Sequence, residues 1–180
     1  MSWGVRYKVL TLLVGAMLCG CGEKIKPTVL PGIDSKALPQ QESWNSTVIL
    51  SDSGKVNAVI HAGYIRKYDA PRQTLLSQGV TVQFYNENEE RTSVLTSEEG
   101  KVDEATNNLE ASGNVAVVSN DSTLLRTEKL YWDNRKQLIH TSEYVFITSP
   151  KENVQGKGFE SDQQLRNYRI FRVTGEARAQ

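Results

Sequence analysis

The sequence predicts an all-β domain, on three observations. Short alternating segments rich in β-branched and aromatic residues recur from Trp44 to Val173, separated by clusters of Gly, Asn, Asp and Ser. Apolar residues at the helical period are scarce over the same span. Four aspartates, Asp69, Asp103, Asp133 and Asp162, recur about every thirty residues, a spacing typical of stacked supersecondary units. Each lies between one β-like segment and a polar stretch leading into the next. Aspartate suits the start of a turn because its carboxylate accepts backbone N–H groups two residues on. Pattern alone admits a sandwich, a barrel or a roll.

Residues 1–20 read as a secretory signal. Arg6 and Lys8 precede an apolar run from Val9 to Leu18, too short for a bilayer core of about 20 residues. Leu18-Cys19-Gly20-Cys21 resembles a bacterial lipobox. Gly20 stands immediately before Cys21 and Leu18 three residues before it, so Cys21 is expected to be the first mature residue and to carry a lipid anchor. Cys19 fits that role poorly, because Leu18 would then occupy the position that needs a small side chain. These are the chain's two cysteines, so the mature domain is expected to lack a disulfide, a thiol nucleophile and a thiolate metal site.

Residues 21–43 read as the lipidated N-terminus and a linker. Pro27, Pro31 and Pro39 with Gly32 give no strand or helix period, and such tethers run extended at about 3.1 Å per residue. The β domain is expected over 44–175, with a polar tail at 176–180.

Within that domain Trp44 to Leu50, the turn cluster Ser51-Asp52-Ser53-Gly54 and Lys55 to His61 form a hairpin signal. Gly63 to Tyr68 follows. Gly79 to Tyr85 alternates Val80, Val82 and Phe84 against Thr81 and Gln83. After a polar loop from Asn86 to Arg91, strands are expected at Thr92 to Thr96, Asn114 to Ser119, Leu124 to Trp132, Tyr144 to Thr148 and Tyr168 to Val173. Leu130-Tyr131-Trp132 and Tyr144-Val145-Phe146-Ile147 place apolar residues on both faces of a strand. Such strands need two covered faces, or one covered face and a hydrophobic lumen.

The formal net charge is zero, and removal of Arg6 and Lys8 with the signal leaves a slightly acidic remainder. That argues against a nucleic-acid partner, which needs a basic field. His61 and His140 lie in strand-like segments without metal-ligand spacing. Glu89-Glu90, Glu98-Glu99 and Asp103-Glu104 sit in turns, and no nucleophile motif or phosphate-cradling loop occurs. The sequence therefore predicts no enzyme, no cofactor and no metal.

With those residues laid out, the chain resembles the LptC family, the periplasmic component of the lipopolysaccharide-export transporter. The resemblance is carried by Leu109-Glu-Ala-Ser-Gly113-Asn-Val115, Leu130-Tyr-Trp-Asp133, Val154-Gln-Gly-Lys-Gly-Phe-Glu-Ser-Asp162 and Leu165-Arg-Asn-Tyr168. It spans about Trp44 to Val173 and is strongest after Gly100. It implies a twisted, open β-jelly roll of repeated antiparallel strand units. It further implies that lipopolysaccharide is accepted from an inner-membrane ABC transporter and passed to a periplasmic bridge protein, acyl chains inside the roll. The location implied is the periplasmic face of the inner membrane. Many family members use an uncleaved membrane helix where this chain is expected to use lipidated Cys21.

Under that resemblance the lumen-lining candidates are Val80, Val82, Phe84, Val115, Val117, Tyr131, Val145, Ile147 and Phe159, each of which fits plain core equally. The C-terminal edge candidates are Tyr168, Ile170, Phe171 and Val173, expected to take the bridge protein by strand addition. The N-terminal edge near Trp44 to Leu50 would face the transporter. Two other readings stay open: an envelope lipoprotein using the roll as a scaffold for glycan or protein, and a glycan-active enzyme with converging carboxylates.

Overall fold

The computed structural model describes residues 38–178. The expected signal, Cys21 and most of the linker lie outside the described residues. The described part holds ten strands: β1 (Gln41–Asp52), β2 (Lys55–Asp69), β3 (Arg72–Tyr85), β4 (Arg91–Ser97), β5 (Glu99–Asp103), β6 (Asn108–Ser119), β7 (Leu124–Asp133), β8 (Leu138–Thr148), β9 (Glu152–Asp162) and β10 (Tyr168–Arg178). They form one antiparallel meander, in the order β1-β2-β3-β4-β6-β7-β8-β9-β10. β5 continues the rung of β4, since both pair with β3 and β6. The fold is all-β, as expected, and takes the form of a β-jelly roll.

A seam of irregular backbone crosses this sheet at one level. Pairing skips or shifts at Ala62/Tyr64, Ser112/Val115, Thr127/Tyr131 and Thr141/Tyr144, and Glu98 interrupts the β4–β5 rung. Asn45, Gln78, Gly79, Gly113, Asn114 and Gly158 on the same line have φ between 48° and 83°. Bulges bend the strand that carries them and sharpen its twist, and here they fall in register on neighbouring strands, so the sheet creases.

The crease folds the sheet onto itself. Phe84 lies above the seam and Trp132 below it. In a flat sheet about nine residues of rise, at about 3.3 Å each, would hold them roughly 30 Å apart. Instead their rings meet edge to face with centroids 5.0 Å apart. The rims of the two halves meet as well: Asn57 donates through Nδ2 to Asn134 Oδ1 at 3.2 Å. Gln163, its amide oxygen turned to the indole, accepts Trp132 Nε1–H at 3.0 Å and donates to the Tyr85 carbonyl at 3.2 Å. One continuous core fills the space between, from Leu50 and Ile60 on one side to Phe159 and Leu165 on the other.

All four recurrent aspartates end strands at the same level of the roll, below the seam. Asp103 closes the β5–β6 turn, accepting the N–H groups of Ala105 and Thr106 at 2.8 and 3.0 Å. Asp133 Oδ1 accepts Lys136 N–H at 3.0 Å. Asp162 Oδ1 accepts Gln164 and Arg166 N–H at 3.0 and 3.1 Å. Asp69 ends β2, just before the cis Ala70–Pro71 bond.

Two strands were not evident from the sequence: β5 (Glu99–Asp103) and β9 (Glu152–Asp162). Their inward positions include Gly100 and Gly156, so no side chain marks the alternation there. Gly100 leaves room for Leu76, whose Cδ1 would lie 3.1 Å from an added Cβ. The segments expected at Lys55 to His61 and Gly63 to Tyr68 are one strand, β2, interrupted only by the seam.

Candidate functional site

The site is the interior of the folded sheet together with its two open edges. Eight of the lumen candidates do face inward: Val80, Val82, Phe84, Val115, Val117, Val145, Ile147 and Phe159 are each at most 2 % exposed. They come from β3, β6, β8 and β9, because residues two apart on a strand share a face. The structure joins to them Ile60, Leu76, Leu95, Leu125, Leu130, Trp132 and Ile139, all buried.

Tyr131 does not join them, which corrects the sequence expectation. Alternation along β7 turns Leu130 and Trp132 inward and Tyr131 out. There its ring stacks on His140 at 5.5 Å and Lys129 Nζ approaches at 5.9 Å. The missed residue is Trp132, the largest fully buried side chain. The bulge at the seam puts Trp132 out of parity with the inward Leu125 and Thr127, so a strict period of two counted from Leu125 selects Tyr131 instead.

The doubly apolar strand β8 resolves differently from either expectation. Val145 and Ile147 point inward, while Tyr144 and Phe146 stand on the outer face, 42 % and 52 % exposed. With Ala116, Leu124 and Arg126 they line an open groove of about 820 Å³.

Each end strand pairs on one side only. On β10, Tyr168 and Ile170 pack against the core, whereas Phe171 and Val173 are exposed. Tyr168 also holds Glu152 through its hydroxyl. On β1, Val48 and Leu50 turn to the core, while Ile49 and Trp44 are exposed and Trp44 stacks on Tyr64 at 5.4 Å.

The charged groups are on the outside, many of them bound to turns or to one another. Glu110 is held below the usual carboxylate range by its hydrogen bond from Lys129, 2.8 Å, and by Lys101 at 3.0 Å, against the opposing effect of partial burial. Asp103 and Asp133 are lowered first by the backbone N–H groups of their turns. Folded values lie below unfolded ones, so this stabilisation is complete above the unfolded values near pH 4 and is lost as pH falls through the folded ones. Thermal denaturation followed from pH 6 to about pH 2 should show the midpoint dropping below about pH 4, with a shallower drop in Glu110→Gln.

Among the described residues no group of three or more His, Cys, Asp and Glu could hold a metal ion, and no helix is long and apolar enough to cross a membrane. What the arrangement offers is a packed apolar interior between two half-sheets and unpaired backbone at two edges.

The model of the lipopolysaccharide-assembly, LptC-related family matches residues 41–176, from the start of β1 almost to the end of β10. The chain belongs to the LptC family. Membership implies a part in lipopolysaccharide transport and suggests a periplasmic domain associated with the inner membrane. No curated protein matches the chain. In the LptC frame, the buried face shared by β3, β6, β8 and β9 and the single-sided edges β1 and β10 are the places to look for cargo and partners.

Proposed function

We propose that this LptC-family chain is a non-enzymatic carrier. It takes lipopolysaccharide from an inner-membrane ABC transporter, holds the acyl chains between its half-sheets and passes them to a periplasmic bridge protein. The observation that carries the reading is a continuous apolar interior, between half-sheets whose end strands each pair on one side only, in a member of a lipopolysaccharide-transport family. Cys21, lipidated at the periplasmic face of the inner membrane, would tether the domain through the linker. The β10 edge, with Phe171 and Val173 exposed, would add a strand of the bridge protein, and β1 would face the transporter.

The energies are of matching size. Burying about ten methylenes gains roughly 8 kcal/mol. Uncovering one large aromatic of the interior costs about 4–6 kcal/mol at about 25 cal/mol per Å². Cargo exchange with the packed core is therefore close to balanced, as transfer without trapping requires; direction must come from elsewhere in the pathway.

One observation favours a second reading. The interior is already filled by its own side chains, which is what a scaffold for glycan or protein would show. Titration of the full chain with intact and with deacylated lipopolysaccharide separates the two. The carrier binds only the acylated form, with a change in tryptophan emission as Trp132 loses its Phe84 contact. A scaffold for the glycan binds both forms equally.

A further inference from the structure

The filled interior and the seam have one explanation in common. Val82, Phe84, Val117, Leu125, Val145 and Phe159 are fully buried, so no acyl chain enters without the half-sheets parting. The seam is where they can part at least disruption. Pairing is already skipped or shifted there on successive strands, so bending about it breaks few ladder hydrogen bonds. Gly79, Gly113 and Gly158 lie on it with φ of 83°, 78° and 78°, where glycine has the widest freedom to turn.

Opposite the seam, the free rims are joined by few contacts. Among the described residues these include the Phe84–Trp132 ring pair at 5.0 Å, the Asn57–Asn134 hydrogen bond and the Gln163 amide between Tyr85 and Trp132. None of these is a strand ladder. The ring pair, the Asn57–Asn134 bond and the bond from Gln163 to the Tyr85 carbonyl each cross from one half-sheet to the other, so these three release together when the crease opens.

We infer that the roll is a closed state, hinged at the seam and latched by Phe84, Trp132, Asn57, Asn134 and Gln163, and that an acyl chain is admitted by release of this latch. The closed form keeps apolar surface from water when the carrier is empty. A chain lying between the half-sheets replaces the contacts that the latch gives up, which makes the lipid pocket a minor conformation stabilised by its ligand. The inference rests on the carrier reading, and its test is arranged so that the two fail differently.

Asn57→Cys/Asn134→Cys, made in the full chain, places thiols on both rims. Closing them with a short reducible bifunctional thiol reagent locks the latch; a long flexible reagent ties the same positions without holding them together. Single-cysteine variants measure what Cys19 and Cys21 contribute. The readout is labelling of lipopolysaccharide by a benzophenone amino acid at Phe159. The short link should lower labelling roughly ten-fold or more, as expected when the binding-competent state is removed. Reductant should restore it, and the long link should leave it unchanged. Equal labelling with the short link closed overturns the hinge and leaves the carrier reading standing. Absence of labelling in the unlinked protein overturns both.

Discussion

Trp132→Ala should lower the unfolding free energy by about 3–5 kcal/mol, the cost of truncating a large buried aromatic. The residue is 1 % exposed, and its indole packs on Phe84 and donates to Gln163. Three losses combine: apolar burial, the edge-to-face contact and the pairing of Gln163. Against a typical total of about 5–15 kcal/mol, that is a large fraction. Urea denaturation of wild type, Trp132→Ala, Phe84→Ala and the double variant measures it. The cycle should return a coupling of about 0.5–1.5 kcal/mol for the ring pair. A single-variant cost below about 1 kcal/mol would mean that the two half-sheets do not pack through this residue.

Gly156→Ala should damage the C-terminal edge selectively. Gly156 faces Val173 across the β9–β10 ladder. A Cβ there would lie 2.3 Å from the Arg172 carbonyl oxygen and 2.6 Å from Ile170 Cγ2. The first obstacle is backbone, so β10 itself must move, at a cost of about 1–3 kcal/mol typical of overpacking. The expected result is faster amide exchange along β10 with β6–β8 amides unchanged, and weaker capture of any partner that adds a strand to β10. Uniform acceleration across the sheet would show instead that β10 is integral to the core. Gly79→Ala offers a contrast: no atom lies within 4 Å of its added Cβ, and only the positive φ resists the change.

Much of the fold was legible because side chains announce it. Asp103, Asp133 and Asp162 marked their turns through carboxylate-to-backbone bonding that depends only on local sequence. Val80, Val82 and Phe84 alternated cleanly, and their face was correctly assigned. What remained hidden was hidden by glycine and by long-range geometry. Gly100 and Gly156 stand where an inward side chain would have signalled β5 and β9. Unbroken parity from Leu125 and Thr127 selects Tyr131; the bulge within β7 shifts it and turns Trp132 inward instead. The outward, exposed placement of Tyr144 and Phe146 is a property of the folded sheet, since a strand with two apolar faces carries no mark of which one is covered. The crease itself is written in Asn45, Gly63, Gly79, Gly113 and Gly158, but only the register of ten paired strands shows that these lie on one line.

The central claim, that cargo lies between the half-sheets, is tested most directly by site-specific photo-crosslinking in cells that export lipopolysaccharide. A benzophenone amino acid is placed at Phe159, inside, and separately at Phe146, exposed on the outer face; both exchange one aromatic for a larger one. The account predicts lipopolysaccharide adducts from position 159 and few or none from 146. Adducts confined to position 146 would contradict it and place the lipid on the outer groove.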